Sequence, residues 1–265
     1  MESIQSAQNS RIKNLQKLFA KSKERKAQNL FVIEGARELH LALSAAYSLE
    51  AVFVCPELFS NTDYPEIQAE IQTSKLFEVS PQVFQKIAYR EHSDGIVALA
   101  KPKSHTLNDL NLPDNPFIIV LEAVEKPGNL GAILRTADAA KVDAVIVCDP
   151  LTDVYNPNVI RSSVGCVFTV PLAVANHSDV YSFLKENRIR IFAAELQASQ
   201  WYQDTDFTQA CALIMGTEAD GLTGFWIDHA DARIKIPMRG KIDSLNVSVS
   251  TAVLTFEAMR QRRFI

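Results

Sequence analysis

No apolar run in this chain approaches the roughly 18 residues that a membrane-crossing helix needs, although 47% of its 265 residues are hydrophobic. The first residues, MESIQSAQNSRIKNLQ, are polar and lack the apolar stretch of a secretory signal. A cytoplasmic protein is therefore expected. Cysteine is scarce: Cys55, Cys148, Cys166 and Cys211 each sit in or beside an apolar stretch, and none stands at C-x-x-C spacing. That predicts buried free thiols rather than a disulfide framework. His40, His92, His105, His177 and His229 show no paired spacing and no mixture with cysteine, so no metal is expected. An excess of positive charge is missing too. With 27 Lys and Arg against 31 Asp and Glu, the net charge is −4, which argues against indiscriminate nucleic-acid binding but leaves room for a local basic patch. The chain also has no G-x-x-x-x-G-K-[ST], and the loop after the apolar run Phe117–Glu122 reads AVEKPGNLG rather than G-x-G-x-x-G. A P-loop NTPase and an NAD oxidoreductase are both disfavoured.

What is present is alternation. Ile12, Leu15, Leu18 and Phe19 predict an amphipathic helix over 10–20, part of a basic stretch from Arg11 to Lys26; a second basic cluster is Arg260, Arg262 and Arg263. Strands are predicted at 30–35, 51–55, 76–79 and 95–100, with helices at 37–46, 65–72 and 82–88 between them. The segment KPKSHTLNDLNLPDNP (101–116) is polar, holds three prolines and has no periodicity. The expected division is a small α/β domain over 1–104, a linker over 105–116 and a second α/β domain over 117–265. In the second domain, strands at 117–122, 144–148, 168–172, 189–194, 212–216 and 233–237 alternate with helices at 130–140, 158–163, 178–186 and 245–262. A parallel sheet between helices is the expected architecture.

Open α/β sheets bind ligands beyond the carboxyl ends of their strands, and three segments gather polar residues there. In EKPGNLGAILRTADAA (125–140), Asn129 is placed to cap the following helix, and Arg135 lies off its apolar stripe. Asn129, Gly131 and Arg135 could approach a phosphate or ribose; a capped helix with a solvated arginine accounts for the same residues. In ALIMGTEADGL (212–222), Gly216 ends a strand and Glu218 follows, so the backbone could reach a ligand; an ordinary turn with an exposed Glu218 is the alternative. In IKIPMRGKIDSLNVSVSTAVLTFEAMRQRR (234–263), Ser244 or Asn246 could cap a long apolar helix, and capping alone would explain both. That helix carries Leu245, Val249, Ala252, Phe256 and Met259 as a stripe, with Val247, Leu254 and Ala258 beside it, which predicts burial in a core or against another subunit.

In this order and spacing the three segments resemble the three motifs of the SpoU family of RNA 2′-O-ribose methyltransferases, in the TrmH-like branch of the SPOUT superfamily. NLGAILRTADAA is similar to motif 1, IMGTEADGL to motif 2 and IPMRGKIDSLNVSVSTAVL to motif 3; YNPNVIRSSVGCVF (155–168) resembles the family's intervening segment. The likeness covers roughly 116–265, and the first 104 residues more weakly resemble the ribosomal-protein-like α/β RNA-binding domain of long members. The resemblance implies a trefoil-knotted methyltransferase domain with a parallel sheet, a homodimer, S-adenosyl-L-methionine as cofactor, and RNA as substrate, ribosomal before transfer RNA. It implies catalytic roles for Arg135, Asn129, Glu218, Ser244 and Asn246, and a cofactor pocket at Gly216, Ile236, Met238 and Leu245, largely through backbone atoms. The sequence departs from many members at Thr217 and at Lys126. Because a guanidinium essentially does not deprotonate in proteins, Arg135 is read as a phosphate clamp and alkoxide stabiliser, with Asn129, Ser244 and Glu218 orienting it or the ribose. The alternative function is an RNA-binding or ribosome-assembly factor that keeps the fold without methylating.

Overall fold

The computed structural model describes residues 2–59, 64–73, 75–90, 93–198 and 200–264; His92 lies outside them. The chain forms two compact units, Met1–Lys103 with Asp153–Thr169, and Ser104–Thr152 with Val170–Ile265.

In the first unit, strand β1 (Glu2–Ile4) precedes helix α1 (Ser10–Ala20), whose first turn is capped by Asn9 accepting from the Arg11 amide at 2.9 Å. Ile12, Leu15 and Leu18 fall on one side of α1 and are fully buried, each contributing about 1.5–3 kcal/mol of burial. A second helix, α2 (Ser22–Gln28), follows and stops at Asn29, where φ turns to 51°. Then come β2 (Phe31–Glu34), α3 (Ala36–Ser44), β3 (Leu49–Val54), α4 (Pro65–Thr73), β4 (Leu76–Val79), α5 (Pro81–Ile87) and β5 (Ile96–Ala100), close to the expected places. The sheet runs β1-β4-β3-β5-β2, with β5 antiparallel to both neighbours. Of the basic stretch, Lys13, Lys17, Lys21, Lys23 and Lys26 are exposed. Arg25 is not: it is buried, paired to Asp153 at 2.7 Å and donating to the Leu18 carbonyl at 2.6 Å.

The second unit is built on β6 (Phe117–Glu122), α6 (Pro127–Ala139) and β7 (Ala144–Cys148). The chain then gives residues 153–169, with α7 (Pro157–Ser162), to the first unit, where Tyr155 stacks on Phe31 at 4.2 Å. It returns through β8 (Leu172–Ala175), α8 (His177–Glu186), β9 (Arg190–Ala194), β10 (Gln200–Trp201), β11 (Cys211–Met215), α9 (Gly224–His229), β12 (Ala232–Lys235) and α10 (Val247–Gln261). The sheet order is β10-β12-β9-β11-β6-β7-β8, and every neighbouring pair is parallel. Both faces are covered, which is why β7 and β11, and β6 up to its last residue, are unbroken apolar runs.

Four local differences from the sequence reading have plain causes. Helix α6 begins three residues earlier than expected because Pro127 occupies its first position with φ already helical, so Asn129 is inside the first turn and does not cap it. Strand β8 starts at Leu172, since Cys166–Phe168 close a 3-10 turn. Helix α9, only six residues long, is too short for its periodicity to show in the sequence. Helix α10 buries Met259 of the predicted stripe, the flanking Val247, Leu254 and Ala258, and also Thr251 and Thr255, while Val249 and Phe256 of the stripe stay 48% and 42% exposed. A helix apolar on most sides gives periodicity little with which to choose its inner face. Among the described residues no helix is long and apolar enough to cross a membrane, and all four cysteines are free and buried.

Candidate active site

The parallel register brings the carboxyl ends of three strands level: Leu121 of β6 pairs with Met215 of β11, which pairs with Ala194 of β9. The next residues along are Glu122, the last of β6, and Gly216 and Glu195, which leave β11 and β9. Glu122 is buried, and its carboxylate accepts from the Thr223 amide at 2.8 Å and the Thr223 hydroxyl at 2.7 Å, tying down the loop after β11. That loop folds back on itself, the Thr217 amide donating to the Gly221 carbonyl at 2.9 Å. A Cβ on Gly216 would overlap the Gly221 carbonyl group and come within 2.5 Å of the Leu222 nitrogen. Gly216 is thus required by the loop's own backbone.

The folded loop presents Glu218 to three donors. Asn129 Nδ2 donates to Oε1 at 3.0 Å, Asn246 Nδ2 donates to the same oxygen, and Lys126 Nζ pairs with Oε2. Asn246 Nδ2 also reaches Asn129 Oδ1 at 3.2 Å, while its own Oδ1 caps α10 by accepting from the Ser248 amide at 3.0 Å. Both asparagine amides are therefore oriented by one carboxylate. Lys126 above all holds the Glu218 carboxyl below its ordinary 4.5; burial opposes it with the next largest effect, and the amides of Asn129 and Asn246 add to the lowering. A depressed value means that the ionised cluster is intact above the usual carboxylate range and comes apart only as pH falls through the lowered value. Replacing Lys126 with Met is expected to move that titration upward towards 4.5. Carbon-13 NMR of the Glu218 carboxyl in native and variant chains checks it, and an unmoved titration would remove Lys126 from the cluster.

The other predicted residues divide between a cavity and the surface. Gly216, Ile236, Met238 and Leu245 line a cavity of about 380 Å³ beneath the same strand ends, together with Glu218 and Ser244. The rest of its wall is mainly apolar, with Met215, Ile234 and Leu254 at its base. Ser244 is exposed and donates to Asp243 at 3.1 Å. Arg135 is exposed on the outer side of α6. It stands six residues beyond Asn129, about 9 Å along the helix axis at 1.5 Å per residue, and none of the Glu218 contacts includes it. So Asn129, Glu218 and Asn246 are brought together, and Arg135 is not joined to them. Lys126, Glu122 and Glu195 were missed by sequence reasoning. The one available signal was an acid closing each of the apolar runs FIIVLE and IFAAE. Among the described residues no three His, Cys, Asp or Glu side chains group as metal ligands.

Residues 116–256 match the profile of the SpoU rRNA Methylase family, and residues 9–98 that of the MRM3-like substrate binding domain. The chain is 30% identical over 257 residues to the 23S rRNA (guanosine(2553)-2′-O)-methyltransferase RlmP of Bacillus subtilis (strain 168), covering 97% of this chain and 98% of that protein. A crystal structure of an RNA 2′-O ribose methyltransferase superposes with a TM-score of 0.86 at 39% identity, covering 98% of this chain and 99% of the other. An AdoMet-bound rRNA methyltransferase from Sinorhizobium meliloti superposes with a TM-score of 0.88 at 27% identity, covering 98% and 97%.

Proposed function

Since this chain belongs to the SpoU rRNA methylase family, we propose that it transfers a methyl group from S-adenosylmethionine to a ribose 2′-hydroxyl of ribosomal RNA. The observation that carries the reading is the join between the cavity at Gly216, Ile236, Met238 and Leu245 and the polar cluster of Asn129, Glu218 and Asn246, with Glu218 common to both. The cavity's volume is within the range of small-ligand sites, and its lining of strand-end backbone and apolar side chains suits a nucleoside. The cofactor supplies a methyl group already activated on a sulfonium.

The chain's own task is then to hold the attacking hydroxyl and answer the charge it develops. Asn129 and Asn246, locked by the Glu218 carboxylate, offer amides of fixed orientation. Preorganised groups of this kind cost no rearrangement in the transition state. Arg135, exposed and clear of the cluster, is free to clamp the phosphate next to the target ribose. Incubation with S-adenosylmethionine and ribosomal RNA, followed by mapping of 2′-O-methyl positions, tests the proposal. Binding of both without any new 2′-O-methyl group would leave the assembly-factor alternative instead.

The first unit is read as the RNA-holding domain, through the exposed lysines of α1 and α2 rather than through buried Arg25. Lysine charge binds phosphates without reading bases. Changing Lys13, Lys17 and Lys21 to Gln should flatten the dependence of log K on log salt by about 0.7–0.9 for each phosphate that is no longer neutralised. An unchanged slope in filter-binding assays would clear these lysines of contact with RNA.

A homodimer belongs to the same reading, as do a knotted chain in the second unit and a cytoplasmic location. Val249 and Phe256 stand two turns apart on the outer side of α10, and exposed Phe264 lies 6.4 Å from Phe256, ring to ring. Such a patch is usual for an interface. Light scattering is expected to give the mass of two chains, and the V249D/F256D double variant the mass of one. A native monomer at micromolar concentration would refute the dimer.

A further inference from the structure

Glu195 takes no part in the polar cluster. It follows β9, with Ala194 level with Met215 on one side and with Ile234 of β12 on the other, and its amide donates to the Ile234 carbonyl at 3.0 Å. The residue is among those that line the cavity, and its side chain is only 10% exposed. Its Oε1 is buried and accepts no hydrogen bond. Arg233 Nη1 stands 3.3 Å away, near enough to offset the charge but not directed to complete a hydrogen bond. Buried carboxylate oxygens are costly to leave unpartnered, and folded chains seldom keep one unless another molecule completes it.

We infer that the Glu195 carboxylate accepts the neighbouring 2′- and 3′-hydroxyls of the adenosine ribose of S-adenosylmethionine, fixing the nucleoside end with a side chain. The inference rests on the cofactor assigned under the proposed function. Two features favour the ribose over the cofactor's cationic groups. The Arg233 guanidinium already balances the carboxylate, so uncharged donors complete the site better than a second cation. The strand order also counts. The polar cluster hangs from the ends of β6 and β11, and β9 is the next strand beyond β11. At about 4.8 Å per strand, Glu195 is set roughly 10 Å from the β6 end. The reacting methyl belongs with the polar cluster, which leaves the nucleoside for β9. An acid on the ribose hydroxyls is how dinucleotide-binding sheets also meet this chemistry.

Isothermal titration of the native chain and Glu195→Gln decides it, with four probes: S-adenosylhomocysteine, its 2′-deoxy and 3′-deoxy counterparts, and 5′-methylthioadenosine, which lacks the amino-acid end. The native chain should bind S-adenosylhomocysteine roughly 10- to 100-fold more tightly than either deoxy compound, the scale of a hydrogen bond to a charged group. Glu195→Gln should lose most of that preference and weaken 5′-methylthioadenosine by a similar factor. Equal native affinity for parent and deoxy compounds would overturn the inference without using any variant, so a variant that fails to fold does not shield it. Unchanged S-adenosylhomocysteine affinity in Glu195→Gln would also overturn it. So would a loss confined to S-adenosylhomocysteine and spared in 5′-methylthioadenosine, which would assign the carboxylate to the amino-acid end. A native chain that binds none of the four would remove the cofactor reading itself, and this inference with it.

Discussion

Arg135→Ala is expected to lower the single-turnover methylation rate by on the order of 10²–10³-fold, the scale of removing one transition-state donor, while cofactor affinity stays almost unchanged. The separation follows from where Arg135 stands: exposed on α6, outside the lining of the cavity and outside the contacts of Glu218. Arg135→Lys separates two roles. A lysine keeps the charge and loses the planar fork that grips a phosphate through two parallel hydrogen bonds. If clamping is the task, the lysine variant is also slow, though less so than alanine. If proton abstraction were the task, lysine, which deprotonates far more readily than a guanidinium, would be active and would gain rate as pH rises. Rates of both variants across pH 6–9, with folding checked at each pH, decide between them. A lysine variant near the native rate at high pH would overturn the clamp, and a fully active alanine variant would take Arg135 out of catalysis.

Gly216→Val should abolish measurable cofactor binding, a loss of at least about 100-fold, since the loop that shapes the cavity cannot keep its conformation beside even one added carbon. The sequence points to the same substitution for a different reason, that a branched side chain would stand where a ligand approaches. The structure gives the nearer obstacle: the Cβ meets the carbonyl of Gly221 before it meets any ligand. The backbone at Gly216 is not in the left-handed region, unlike Gly221 with φ +70°, so space alone excludes a side chain. Because Glu218 is carried on the same loop, Gly216→Ala should also loosen the Asn129–Glu218–Asn246 cluster. Loss of the shared hydrogen bonds would appear as altered Asn side-chain amide signals in NMR, together with weakened titration by S-adenosylhomocysteine. An alanine variant with native affinity and unchanged amide signals would show that the loop relaxes at no cost.

Most helices and strands could be read from the chain because their causes are local. Ile12, Leu15 and Leu18 repeat at helical spacing, and FIIVL, AVIVC and ALIMG are apolar throughout because strands covered on both faces must be. Local reading failed where a nearby residue overruled a familiar preference, as Pro127 did for Asn129. It failed again where too little contrast was present, as on α10, which buries Thr251 and Thr255 and exposes Phe256. The motif residues Asn129, Glu218 and Asn246 were marked by their place after apolar runs, and the likeness to a family supplied their chemistry. By itself the sequence determined most element types, the parallel sheet of the second unit and which polar residues stand at strand ends. Only the tertiary structure decided which of those residues meet. Strand pairing sets β11 between β6 and β9, so Glu218 reaches Asn129 across 89 residues of chain while Glu195 joins the lining of the cavity. It also assigned Asp153–Thr169 to the first unit, where Asp153 takes the Arg25 charge that the sequence had counted towards a binding face. The physical reason is the same in each case. Periodicity and propensity act over a few residues, whereas strand order, register and the pairing of buried charges are settled by packing between segments far apart in the chain.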